Sequence, residues 1–306
     1  MVSPLRVSPR TDARILTSLF RHRWSSDWTT RVRSLYEMHP PTNLLSEEGT
    51  YFNVGYWEPG TARYDHAQHA LADLLAEAAG MGPGDTVLDC GFGFGDQDFR
   101  WLARREPYQI FGINITPRHV AAARARARAE KLHDRLRFQL ASATDIPFPD
   151  NCFDRVVSLE SAMHYQPRTR FFEEAFRVLR PGGVLATADI VPMPGAGPRA
   201  ALGSPALDWI KHSVDDRNWH DREAYAGKLG EAGFAQVRVR SIRDRVWEPW
   251  LAHIRRAVDE PAFARRVSTL YLRMLRHGMA DRALLDRDMA RLDYVLASAV
   301  KPHGGG

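Results

Sequence analysis

The segment Val87-Leu-Asp-Cys-Gly-Phe-Gly-Phe-Gly95 restricts the fold of this chain more than any other stretch. It follows a turn, Gly82-Pro-Gly-Asp85, and its apolar opening has the length of a short buried strand. The residues beyond it continue at helical spacing. A strand that turns on glycines straight into a helix is the setting that a glycine-rich nucleotide loop requires. Gly91 and Gly93 allow a tight turn and let a ligand touch the backbone. Gly95 opens the helix, whose N-terminal amides can face a polar ligand. Taken alone, the same glycines would also serve a plain strand-to-helix turn.

The rest of the chain alternates. Short apolar runs recur at 86–90, 109–113, 136–140, 154–158, 183–188, 235–240 and 293–299, and helical segments near 95–104, 117–132, 168–179 and 221–232 separate most of them. This alternation predicts an α/β fold with a mostly parallel sheet and helices on both faces. Arg180-Pro-Gly-Gly183 ends one helix and launches the next strand. Two short helices, 11–22 and 26–38, come first, with Trp24, Trp28, Leu35 and Tyr36 on their apolar faces. The predicted organisation is an N-terminal helical cap and aromatic loop over 1–60 and a core over 61–190. A cap insertion rich in Pro, Gly and Trp covers 191–220, and the core ends over 221–302, with a helical cap insertion at about 245–288. A disordered tail is expected at 303–306.

The composition narrows the setting. Hydrophobic residues make up 44% and charged residues 26%, as in an ordinary globular enzyme. No apolar run approaches the roughly 20 residues that span a bilayer, and the N-terminus has no secretory pattern. Cys90 and Cys152, both in strand-like segments, suggest reduced thiols and a cytoplasmic protein. The net charge of +5 raises the question of nucleic acid, but much of it is arginine scattered through helices, as in Arg124, Arg126 and Arg128, and reads as solvated helix surface.

The glycine segment resembles motif I of the class I S-adenosylmethionine (SAM)-dependent methyltransferases. The resemblance implies a Rossmann-like, seven-stranded sheet, SAM as cofactor and S-adenosylhomocysteine as product. It also implies that Gly91, Gly93 and Gly95 pack on the methionine part while Asp89 organises the loop. Asn114 stands where relatives often carry an acid for the ribose, and its amide can both donate and accept. Ser142-Ala-Thr-Asp-Ile-Pro-Phe148 resembles the segment that frames adenine, with Ser142 where an Asp is common, leaving more to the backbone at Ala143. The implied cofactor set is completed by Thr144, Gln97, Ile115, His119, Glu160 and the aromatics Tyr51 and Tyr56. Tyr51, Tyr56 and Trp57 belong to a loop that either closes over SAM, whose sulfonium an aromatic face attracts, or packs the cap onto the sheet.

Ser158-Leu-Glu-Ser-Ala-Met-His-Tyr-Gln-Pro167 lacks the Asn/Asp-Pro-Pro-aromatic signature of nucleic-acid amino-methyltransferases. From Glu47 to Asp189 the chain is similar to the macrolide-sugar O-methyltransferases, through EGTYFNVGYW, GDQDFRWL, SATDIPF and SLESAMHYQPRTRFF. That likeness implies methylation of a hydroxyl on a small-molecule acceptor, a deoxysugar of a glycosylated polyketide, in antibiotic biosynthesis. It implies no nucleic-acid or membrane partner; a homo-oligomer stays open. Two other readings are a C-methyltransferase acting on a terpenoid or aromatic carbon and a cyclase that retains SAM without transferring methyl.

A sugar hydroxyl needs a base to take its proton. His164 lies beyond the fourth strand, where open α/β sheets bind ligands, and reads either as that base or as a satisfied loop histidine. Asp189, at the end of the fifth strand, either orients the imidazole or caps a turn. Met163, Tyr165, Trp209, Trp219, Trp247 and Trp250 are the candidate acceptor residues, with core packing the alternative for each tryptophan. Asp215-Asp216 and His220-Asp221 mimic a magnesium cluster, but His220-Asp221 reads as a helix cap, so no metal is predicted.

Overall fold

The computed structural model describes residues 9–39 and 45–303. The first eight residues of the expected N-terminal cap and the expected tail at Gly304–Gly306 lie outside the described residues.

Seven strands form one sheet: β1 (Thr86–Cys90), β2 (Gln109–Asn114), β3 (Leu136–Leu140), β4 (Phe153–Leu159), β5 (Leu179–Pro192), β6 (Ala235–Ser241) and β7 (Leu292–Val300). Their spatial order is β3-β2-β1-β4-β5-β7-β6, and all neighbours are parallel except β7, which runs antiparallel between β5 and β6. Helices α1 (Pro9–Trp24) and α2 (Trp28–Glu37) precede the sheet. Then come α3 (Tyr64–Ala78), α4 (Asp96–Arg105), α5 (Pro117–Ala129), α6 (Arg168–Val178), α7 (Asp208–Ser213) and α8 (Arg222–Glu231). Between β6 and β7 lie α9 (Trp247–Ala257), α10 (Pro261–Arg266), α11 (Thr269–Ala280) and α12 (Arg282–Met289).

The parallel strands are buried on both faces, as their nearly continuous apolar runs require. One core cluster takes Leu71 and Leu75 of α3, Trp101 of α4 and Val120 and Ala123 of α5. A second, on the other face, takes Phe171, Phe172 and Val178 of α6 with Tyr225 and Leu229 of α8. A third cluster, away from the sheet, joins Ile15 of α1 to Ile254, Phe263, Tyr271 and Leu272 of α9, α10 and α11. The N-terminal helix and the helices before β7 thus share one core.

Two local features differ from the sequence pattern. The fifth strand begins at Leu179, so Arg180-Pro-Gly-Gly183 lies within it and not ahead of it. The ladder absorbs those residues as a shift between Phe153↔Leu179 and Arg155↔Val184, with Gly182 at φ 82°. Trp24 does not face a core: with Leu16 and Phe20 it forms an exposed line along α1. No helix among the described residues is long and apolar enough to cross a membrane.

Candidate active site

The glycine loop leaves β1 at Cys90 and is held to β2 by a bond from Gly91 N to Ile113 O, 2.8 Å. Gly91, Gly93 and Gly95 all have positive φ, at 88°, 58° and 90°. A side chain at Gly91 would drive into Ser161, so the loop runs against the segment that follows β4. Gly95 does a different job from the one expected. It starts α4, and a Cβ there would stand 3.3 Å from Phe138 and 3.4 Å from Ala123. Its role is the close approach of α4 to β3 and α5; it does not line the cleft.

Asp89 also sits behind the loop. It is fully buried and receives Gln97 Nε2 at 2.9 Å, while the same amide donates to Phe92 O at 3.0 Å. Gln97 is thereby fixed at the cleft wall. Asp98, equally buried, lies beside Asp89; burial raises both carboxyls above the usual aspartate range, and the Asp89 carboxyl raises Asp98 further.

Above the C-terminal ends of β1, β2, β3 and β4 opens a cleft. Of the expected cofactor residues, Tyr51, Gly91, Gly93, Gln97, Asn114, Ile115, His119, Ser142, Ala143, Thr144 and Glu160 line it. Asn114 Oδ1 accepts from Thr116 N at 2.9 Å, which orients the amide at the end of β2. Ser142 Oγ receives Thr144 N at 3.2 Å and meets Thr144 Oγ1 at 2.8 Å, a tight turn beyond β3. An aromatic wall joins Phe52, Phe94 and His119, with Phe94 and His119 centroids 4.3 Å apart. Burial lowers His119 to about 3, so its ring is neutral and packs as an aromatic. Tyr56 is not on this wall. Gly55, at φ 85° against Ala67, turns Tyr56 outward to a separate groove beside His66, His69 and Asp73.

His164 lies in a short 3-10 turn after β4 and lines the cleft. Its Nδ1 meets the carbonyl of Ser213 at 2.7 Å. A carbonyl can only accept, so Nδ1 carries the proton and Nε2 offers its lone pair. Tyr36 Oη of α2 meets that nitrogen at 2.8 Å. Trp28, also of α2, donates Nε1–H to the backbone carbonyl of His164 at 2.9 Å. Burial lowers His164 to about 4 and pushes Tyr36 up, so both are neutral near pH 7.

Asp189 does not reach the imidazole. Its Oδ1 accepts from Met163 N at 3.1 Å and Ile190 N at 3.0 Å, and its Oδ2 is 3.0 Å from Arg168 Nε, both side chains fully buried. Burial raises the Asp189 carboxyl, while Arg168 and the backbone donors pull it down. Met163 is buried beneath the cleft, holding Asp189 and Asn218 through its backbone. Of the expected acceptor residues only Tyr165 lines the cleft, with Oη donating to Cys90 O at 2.8 Å. Trp209 lies behind His164, their centroids 5.8 Å apart. Trp219 binds Gly197 O at 2.9 Å, Trp247 packs on Tyr294 at 5.4 Å, and Trp250 Nε1 donates to Tyr64 Oη at 3.3 Å. These four tryptophans fasten the cap segments to the core.

Glu160 follows β4 with a left-handed backbone, φ 48°. Its Oε1 accepts from Val54 N at 2.8 Å and Tyr294 Oη at 2.7 Å, and burial pushes the carboxyl up to about 7.

Trp28, Thr29, Val32 and Tyr36 of α2, with Phe52, Phe94 and Ser161, line the cleft without having been singled out as site residues. Trp28, Val32 and Tyr36 fall four apart, and that spacing marks a single helix face without saying what it covers. The mimic of a metal cluster dissolves. Asp215 binds Arg217, Asp216 binds Arg199, and Asp221 caps α8 by accepting from Ala224 N at 3.0 Å. Among the described residues no three His, Cys, Asp or Glu side chains gather as a metal-holding group.

Residues 88–187 match a family model described as a methyltransferase domain. Erythromycin 3''-O-methyltransferase of Saccharopolyspora erythraea is 45% identical over 278 residues, covering 90% of this chain and 91% of that one. The 27-O-demethylrifamycin SV methyltransferase of Amycolatopsis mediterranei is 34% identical over 72% of this chain and 70% of its own. The crystal structure of the [4+2]-cyclase SpnF superposes with a TM-score of 0.65 at 25% identity, covering 83% of this chain and 88% of that one.

Proposed function

Because the chain belongs to the SAM-dependent methyltransferases and is 45% identical to erythromycin 3''-O-methyltransferase over 90% of its length, we propose that it methylates a deoxysugar hydroxyl of a glycosylated polyketide. The acceptor class rests on the near full-length likeness to that relative; the reaction type rests on the cleft.

The residues present fit the cofactor. A glycine loop with backbone exposed to the cleft, a polar amide at the end of β2 and the tight turn beyond β3 would hold its methionine, ribose and adenine parts in sequence. When bound, SAM supplies a methyl group already activated on a sulfonium, so the protein must orient the acceptor and accept one proton. Tyr51, Gly91, Gly93, Gln97, Asn114, Ile115, His119 and the Ser142–Thr144 turn are the residues assigned to holding it.

The observation that carries the transfer reading is the tautomer that Ser213 sets on His164, whose unprotonated Nε2 faces Tyr36 at the cleft wall. As the acceptor hydroxyl attacks, its proton passes to Tyr36 Oη and the tyrosine's own proton passes to His164 Nε2. Tyr36 ends neutral and the imidazolium donates to Tyr36 and to Ser213 O, so no tyrosinate forms in a site that disfavours one. Asp189 is assigned a positioning role, since its bond to Met163 N holds the turn that carries His164.

The test is to incubate the enzyme with SAM and the erythromycin glycoside lacking its 3''-O-methyl group, beside a panel of prenylated aromatics. A product one methyl heavier, with the new carbon on oxygen by NMR, is expected. A new carbon–carbon bond would install the C-methyltransferase reading, and turnover without S-adenosylhomocysteine would install the cyclase reading.

A further inference from the structure

Glu160 is a half-buried carboxyl at the cleft wall, and the hydrogen bonds it accepts inside the protein fall on one of its two oxygens. Oε1 is occupied by two donors, Val54 N and Tyr294 Oη. Oε2 has no hydrogen bond among the described residues, and the charged group that acts on the carboxyl is another acid, Asp189. A carboxylate sheltered in this way gains from a donor that reaches its free oxygen from the cleft. The protein holds it firmly, through a left-handed backbone and two braces from distant parts of the chain.

The direction of those braces separates Glu160 from the cofactor residues. The glycine loop, Asn114 and the Ser142–Thr144 turn follow β1, β2 and β3, on one side of β4 in the sheet. Tyr294 belongs to β7, two strands away on the other side, and Val54 comes from the loop ahead of α3. Glu160 is therefore held from the flank of the cleft away from those three strands, a flank that the assigned cofactor residues leave for the acceptor.

We propose that Glu160 binds the acceptor, its free oxygen taking a hydrogen bond from a second hydroxyl next to the one that is methylated. This rests on the sugar O-methyltransferase reading. One hydroxyl addresses Tyr36 and His164 while its neighbour is gripped by Glu160, which sets the ring's orientation and selects acceptors with adjacent hydroxyls. Tyr294 is fitted to the brace: burial and the adjoining carboxyl hold its hydroxyl protonated, so it donates to Oε1 and leaves Oε2 for the ligand.

Glu160→Gln tests this, because glutamine keeps an oxygen for Val54 and Tyr294 and replaces only the free acceptor with an NH2 group. The probes are the erythromycin glycoside lacking its 3''-O-methyl group and the same compound with the vicinal hydroxyl replaced by hydrogen. The parent enzyme is expected to lose about 10- to 100-fold in kcat/KM on the deoxy compound, as for a hydrogen bond to a charged group. Glu160→Gln should lose about as much on the intact glycoside, little more on the deoxy compound, and nothing in SAM affinity by calorimetry. A variant that discriminates between the two glycosides as the parent does overturns the inference, and so does a tenfold loss of SAM affinity with the acceptor KM unchanged. If the parent methylates neither glycoside, the acceptor reading itself falls and takes this inference with it.

Discussion

The hydroxyl of Tyr36 and Nε2 of His164 meet at 2.8 Å, across 128 residues of chain. One belongs to the N-terminal helical pair and the other to the turn after β4, so the proton acceptor is shared between the cap and the sheet.

If the pair moves a proton as a unit, Tyr36→Phe should lower kcat by about 10- to 100-fold, and His164→Ala by about a hundredfold or more. The double variant should lose no more than His164→Ala alone, because residues acting in one relay are not additive. SAM binding should persist in all three. Independent, multiplying losses would show that Tyr36 and His164 act separately.

Gly91→Ala should cost SAM affinity by about tenfold or more, since the residue has φ 88° and its new Cβ would enter the Ser161 side chain at the cleft. Gly95→Ala should behave differently. Its Cβ presses on Phe138 and Ala123, so the loss is in stability, about 1–3 kcal/mol, read from urea unfolding. Equal loss of SAM affinity in the two folded variants would place Gly95 at the ligand after all.

The Asp89 and Asp98 carboxyls predict a pH dependence. Burial holds a proton on them that the unfolded chain releases near the ordinary aspartate value of about 4. Their contribution to stability is therefore complete below that value and is lost as pH rises through the raised folded range. Asp98→Asn removes one charge from the pair, so its stability should fall less on going from about pH 5 to about pH 8. Parallel stability curves for the parent and the variant would show that the Asp98 carboxyl is not raised in the folded protein.

Trp247→Ala should destabilise the protein by about 3–5 kcal/mol, because the ring is buried against Tyr294 in the main core. A raised acceptor KM with an unchanged unfolding midpoint would instead make Trp247 part of the acceptor site.

The strands and the glycine loop were legible because their signals are local: an apolar run, a turn, then glycines at positions that need positive φ. The same locality explains what was not. His164 stands out as a histidine after a strand, but its partners, Tyr36 and Ser213, come from two separate cap segments. Asp189 reads as a partner for the imidazole until Arg168 is seen against it, and no spacing announces that pair. The tryptophans of 209–250 look like pocket lining by composition, whereas their neighbours are core residues and backbone carbonyls. The face that enters the cleft instead belongs to α2, whose pattern says only that one side is covered.

That cleft draws on Trp28 and Tyr36 near one end of the chain and, through Glu160, on Tyr294 near the other. The acceptor side of the cleft is therefore complete only when the first helices and the last strand are both in place. A chain stopped short of β7 would still carry the glycine loop and every residue assigned to the cofactor, yet would lack the brace on Glu160. Every residue assigned to the cofactor thus lies between Tyr51 and Thr144, whereas the acceptor side also needs the first helices and the last strand.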